Sequence, residues 1–137
     1  MLQAGRQPRE TMAVSETKQR VLVVDDEPVV RKIAERVLKR ESIEVITASD
    51  GGEAMQALAS HEDIALILLD ASLPDMNAER VLELMHERND TTPVLLSSGF
   101  GEESLPTKEQ FPNVCGYLPK PYSVAKLSER VRGLLAS

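Results

Sequence analysis

Residues 64–70 read IALILLD, the most apolar stretch of the chain, and it ends in an acid. Unbroken apolar character without alternation predicts a central strand over 64–69, buried on both faces. Such strands belong to parallel sheets covered by helices, and the flanking sequence alternates accordingly between short β-branched runs and helical patterns. Arg20 to Val24 (RVLVV) reads as a first strand ending in Asp25 and Asp26. Pro28 suits the first turn of a helix, where its missing N–H costs nothing. Val30, Ile33, Ala34, Val37 and Leu38 then follow a helical stripe. Ile43 to Thr47 is a second strand, and Asp50 caps a helix from Glu53 to Ser60. After the central strand comes the loop ASLPDMN, in which Asn77 caps a helix through Arg88 with Val81, Leu82 and Met85 on its buried side. Pro93 to Ser97 and Val114 to Leu118 are the fourth and fifth strands, and Ser123 caps a last helix carrying Val124, Leu127, Val131, Leu134 and Leu135. Between them, Pro106 and Pro112 interrupt the expected fourth helix and leave a short one near 106–111.

Length and composition bound the rest. The chain has 137 residues, 42% hydrophobic and 28% charged, which is one globular domain by size. Residues 1–18 (MLQAGRQPRETMAVSETK) are polar and lack the apolar middle of a secretory signal, so they read as a mobile leader to a domain at 19–137. No apolar run reaches the ~18 residues of a membrane span. A net charge of −6 argues against direct binding of nucleic acid, which relies on Lys and Arg neutralising phosphates. The single Cys115 has no internal disulfide partner and reads as a buried small hydrophobe, consistent with a reducing, cytoplasmic setting.

Five βα units with right-handed crossovers form a doubly wound sheet, whose ligands bind beyond the carboxyl ends of the strands. Those ends carry Asp25 and Asp26, Asp70, Ser98 and, after the fifth strand, Lys120. Three neighbouring carboxylates repel one another unless a cation is present, and hard oxygen ligands suit Mg²⁺ or Mn²⁺ rather than zinc. With an ammonium and a hydroxyl added, the set reads as a phosphoryl-binding site around a carboxylate nucleophile.

Four motifs, in this order and at these spacings, resemble the receiver domain of response regulators in two-component signalling: VLVVDDEP at 21–28, LILLDASLPDM at 66–76, PVLLSSG at 93–99 and GYLPKP at 116–121. The resemblance covers about Arg20 to Ala136. It implies an α/β fold of three layers, a doubly wound five-stranded parallel sheet of flavodoxin-like order 2-1-3-4-5. It also implies that Asp70, four residues before Pro74, is the phosphoacceptor. Asp26 matches the direct metal ligand, Asp25 the one reaching the metal through water, and the main-chain carbonyl of Ser72 a further ligand. Ser98 matches the switch hydroxyl, with Ser97 its rival. Tyr117 matches the aromatic that turns inward on activation, with a plain surface residue as the alternative. Lys120 matches the lysine of the family, and the Lys120–Pro121 bond is expected cis. The chain departs from many relatives in carrying Asn77-Ala78 where they have Asp-Gly, and Ser98 where Thr is commoner.

The function so implied is Mg²⁺-dependent acceptance of a phosphoryl group from a histidine kinase or phosphotransfer protein, followed by a conformational change read by a downstream protein. The chain is expected as a monomer or a phosphorylation-dependent dimer, and as a stand-alone regulator or the C-terminal receiver of a hybrid kinase. It is not expected to be an enzyme with turnover on a small substrate. A Mg²⁺-dependent phosphatase would need a second acid two residues after its nucleophile, where Ser72 stands. A flavin binder would need a Ser/Thr/Gly-rich loop after the first strand, where the acids stand. A scaffold acting without phosphorylation has no use for the full set of acids, hydroxyl and lysine. Blander readings also exist: Asp25-Asp26-Glu27 as a solvated turn, Glu102 and Glu103 as a solvated helix start, and no role for His61 or His86. Phe100 and Met76 are expected to flank the cleft and shield it from water.

Overall fold

A computed structural model describes residues 19–99 and 104–136. The leader and the expectations on Phe100, Glu102 and Glu103 lie outside the described residues. Among the described residues, five strands and four α-helices follow in the order β1 (Arg20–Val24), α1 (Pro28–Arg40), β2 (Glu44–Ala48), α2 (Gly51–Ser60), β3 (Ile64–Asp70), α3 (Ala78–Glu87), β4 (Val94–Ser98), β5 (Val114–Pro119) and α4 (Val124–Leu135). The strands form one parallel sheet in the order β2-β1-β3-β4-β5, the expected doubly wound arrangement.

β3 sits at the centre. Its residues from Leu66 to Asp70 are all buried, and alternate side chains feed two separate cores. Leu22, Val24, Ile67, Leu69 and Leu96 pack with Leu82 and Met85 of α3 and Ala54 and Leu58 of α2. Val21, Val23, Leu66, Leu68 and Leu95 pack with Ala34, Val37 and Leu38 of α1 and Leu127 and Val131 of α4. The sheet is thus the middle of three layers.

The helix starts follow their local chemistry. Asp50, Asn77 and Ser123 each accept from the backbone N–H three residues on, at Glu53 (2.8 Å), Arg80 (2.9 Å) and Lys126 (3.1 Å). Glu27 precedes α1 without a side-chain cap, and Pro28 removes one N–H that would need one. At their C-termini α1 and α3 stop on left-handed residues, Ser42 and Asn89, and the next amides fold back onto Leu38 and Met85.

Three expectations need correction. The stripe of α1 is only partly buried, because Ile33 is 44% exposed near the strand carboxyl ends; Val124 of α4 is exposed as well. Cys115 is half-buried, its thiol 3.3 Å from the Val94 carbonyl. And no helix spans 106–111. Thr107 starts a single turn, its carbonyl accepting from Gln110 (3.1 Å) and Phe111 (2.9 Å), with its own N–H donating to the Gln110 side chain at 3.0 Å. Pro112 cannot donate the next helical bond, and one turn is below the length at which a helix sustains itself. Leu105 and Phe111 instead pack against the core beside Tyr117.

Leu69 is fully buried at the end of the central strand. Leu69→Ala is expected to lower stability by about 2–5 kcal/mol, measured by urea unfolding, with an unchanged denaturant slope.

Candidate functional site

The carboxyl edge of the sheet holds the site. β1 ends one residue before Asp25, β3 ends on Asp70, β4 on Ser98, and β5 one residue before Lys120. Backbone bonds align these ends. The Asp25 N–H donates to the Ala48 carbonyl, that of Ala71 to Ser97, and that of Lys120 to Ser98. The Lys120–Pro121 peptide is cis.

Asp25 and Asp70 are only 2% and 5% exposed, and the Lys120 ammonium lies between them. Its Nζ is 2.7 Å from Asp25 Oδ2, 3.3 Å from Asp70 Oδ2 and 3.7 Å from Glu27 Oε1. The second oxygens are also engaged. Asp25 Oδ1 accepts from the Glu27 N–H at 2.9 Å, and Asp70 Oδ1 from the Ser72 N–H at 3.1 Å. Asp26 is exposed, yet Asp25, Asp26 and Asp70 each turn a ligand oxygen into one cluster, all within 4.8 Å of one another.

The electrostatics follow from this crowding. Burial pushes the Asp70 carboxyl above the usual range, and the Asp25 charge adds to it; the Ser72 N–H and Lys120 pull the other way without cancelling it. For Lys120, burial works against the charge, but Asp25 and Asp70 outweigh it and the ammonium titrates above its ordinary value. Tyr122, half-buried, is pushed up to about 12 by partial burial first and then by the Asp25 charge. One ammonium faces three carboxylates, so the donor set fits a hard divalent cation.

Ser97 and Ser98 are both buried. Ser97 lies in register with Asp70 and Leu118, and Ser98 one place further out, in register with Pro119 and next to Lys120. Tyr117 lies on β5, half-buried, and its hydroxyl donates to the Pro106 carbonyl at 2.7 Å. Ser72 stands in the loop between β3 and α3, bridged to Asn77. Met76 rests against Gly51, where a Cβ would come within 2.5 Å of its Cγ and Sδ.

Residues 21–132 match the family model of the response regulator receiver domain. The chain belongs to that family. The receiver domain is 36% identical over 115 residues to the transcriptional regulatory protein SrrA of Staphylococcus aureus, covering 84% of this chain and 47% of SrrA. The chain thus spans about half the length of the curated relatives it matches. Among solved structures it resembles the receiver domain of the hybrid histidine kinase CckA, with 32% identity, a TM-score of 0.68, and coverage of 85% of this chain and 98% of that one. It also resembles the response regulator TrrA of Thermotoga maritima in complex with Mg²⁺–BeF, with 26% identity, a TM-score of 0.72, and coverage of 85% and 98%. It is a signalling domain of two-component systems. No helix among the described residues is long and apolar enough to cross a membrane.

Two contacts of this receiver were not legible in the sequence. The Arg31 guanidinium donates to the Asp25 carbonyl at 2.6 Å, and both carboxylate oxygens of Asp75 accept from α2. The first is made by a long cation in the first turn of α1 reaching back six residues to the end of β1. The second joins residues 23 and 24 positions apart, which no local pattern signals.

The raised Asp70 has a stability consequence. A carboxyl whose folded value lies above its unfolded one contributes stability below the unfolded value and loses it as pH rises through the folded value. In chelator, Asp70→Asn is therefore expected to melt above the unsubstituted protein at pH 7. The difference should shrink as pH falls through the acid range, measured by calorimetry across pH.

Proposed function

We propose that Asp70 accepts a phosphoryl group from a phosphohistidine of a histidine kinase or phosphotransfer protein, and that the receiver then changes conformation to signal to a downstream protein. The observation that carries this is the pair of buried carboxylates, Asp25 and Asp70, sharing one ammonium while Asp26 completes a three-oxygen cluster beside them. Such an arrangement is poor as a stabilising device and apt for an incoming anion with its cation.

In this reading Asp25, Asp26, Asp70 and the Ser72 carbonyl hold Mg²⁺, with Mn²⁺ as an alternative of the same ligand preference. The bound ion supplies charge neutralisation and alignment of phosphoryl oxygens. An Asp70 oxygen attacks phosphorus, the P–N bond to the donor imidazole breaks, and the departing nitrogen keeps the electron pair. Lys120 is already placed to move from a carboxylate to the new phosphoryl oxygens. Ser98 supplies a hydroxyl from the adjoining strand end. Tyr117 is the switch aromatic, and its bond to Pro106 ties the state of the site to the segment around residues 104–111. Phosphorylation then shifts a population, to the extent that the phosphoryl group prefers the active state.

The domain acts on itself and not as an enzyme turning over a small substrate. A groove of about 510 Å³ beside Lys120, lined by Glu27, Val30, Ile33, Gly99, Pro121 and Tyr122, supports a protein as donor. Its exposed apolar rim includes Ile33, with Val29 nearby on the same helix at 69% exposure. The net charge of −6 supports a protein target over nucleic acid or a membrane surface. A cytoplasmic monomer, or a dimer formed on phosphorylation, completes the reading.

With acetyl phosphate and Mg²⁺, the protein is expected to gain an acid-stable, alkali-labile label, seen on phosphate-affinity gels. Chelator should abolish it, as should Asp70→Asn. Labelling of Asp70→Asn at the unsubstituted rate would sink the assignment.

A further inference from the structure

The loop between β3 and α3 carries both Asp70 at its root and Ser72 on its rim, and its far end is fastened to another part of the protein. Its base is closed by the bond from the Ala78 N–H to the Ala71 carbonyl, at 3.1 Å, and by the bridge between Ser72 and Asn77. Its tip is Asp75-Met76. Asp75 Oδ1 accepts from the Gly51 N–H and Oδ2 from the Gly52 N–H, each at 2.9 Å. Those are the first two amides of α2, which have no partner within the helix. The next, Glu53, is taken by Asp50. A charged, two-point contact at the positive end of a helix is among the stronger polar contacts available to a surface loop. The two N–H groups hold the Asp75 carboxyl below the usual carboxylate range, that of Gly51 first.

Apolar packing repeats the attachment. Met76 occupies the space a side chain on residue 51 would need, with Cγ and Sδ 2.5 Å from where its Cβ would lie, so a larger residue there would have to displace Met76. α2 is itself anchored by Ala54 and Leu58 in the core. The loop tip is therefore fixed to a rigid element.

We propose that Asp75 is a positioning residue for the metal site: its clamp on α2 holds the loop so that the Asp70 carboxylate and the Ser72 carbonyl stand ready as ligands. This rests on the reading above that both serve a cation. Mg²⁺ tolerates little departure from octahedral geometry, so ligands on a loose loop would have to be ordered as it binds. Asp75 touches neither the cation site nor the phosphoryl group. It acts through the backbone between.

The test compares Asp75→Ala, Asp75→Asn and Asp50→Ala, with Mg²⁺ titrations followed by amide NMR shifts and melting temperatures in chelator. Asp50→Ala removes a cap from the same helix start without touching the loop, so it reports the purely structural effect. In Asp75→Ala the Mg²⁺ dissociation constant is expected to rise about tenfold, within the range carried by residues that orient metal ligands. Asp75→Asn, which keeps one acceptor oxygen, should recover part of that. Asp50→Ala should melt lower yet bind Mg²⁺ as the unsubstituted protein does. Mg²⁺ binding by Asp75→Ala within twofold of the unsubstituted protein would overturn the proposal, as would equal weakening by Asp50→Ala. Absence of Mg²⁺ binding by the unsubstituted protein would overturn the metal-site reading and this proposal together.

Discussion

The Lys120 ammonium between Asp25 and Asp70 is the interaction on which the rest of this receiver turns. Two carboxylates buried this deeply cannot both remain charged without a partner, and the lysine supplies one charge for two. The fold exists in this form to bring those three groups together. They come from the ends of β1 and β3 and from just beyond β5, and the parallel sheet puts those ends, together with that of β4, on one edge. The apolar runs that build the sheet therefore also build the site, and the acids left unbalanced at that edge are a donor set that fits a hard cation.

Around this cluster the structure differs in rigidity. On one side the β3–α3 loop is closed at its base and clamped at its tip, so Asp70 and its neighbours rest on α2. On the other side, residues 104–113 carry no helix beyond one turn at Thr107; packing of Leu105 and Phe111, the Tyr117–Pro106 hydrogen bond and the bonds of Asn113 to Thr92 and Val94 attach them to the sheet. A clamped loop on one side and a segment with little regular structure on the other is a suitable division for a switch, because a change at the strand ends meets least resistance where regular structure is thinnest.

Much of this was legible in the sequence, and the physical reasons differ by element. IALILL reads as a central strand because burial on both faces removes the need for alternation, and Asp50, Asn77 and Ser123 read as caps because a cap depends on residues three apart. Convergence of Asp25, Asp26, Asp70 and Lys120 was legible once the strand order was inferred, since the acids and lysine all fall at strand ends. The stripe of α1 misled at Ile33, because helical periodicity predicts a face without saying how far the neighbouring layer extends over it. The helix expected near 106–111 failed because two prolines leave room for one turn only. The Asp75 clamp was invisible, because its partners are backbone amides of a distant helix, which any sequence provides.

The most direct test of the central claim is chemical mapping of the acceptor. After phosphorylation with acetyl phosphate and Mg²⁺, borohydride reduces an aspartyl phosphate to homoserine, and peptide mass spectrometry locates it. Homoserine is expected at residue 70 and at neither 25 nor 26. Conversion at Asp25 or Asp26 with residue 70 left as aspartate would contradict the central claim.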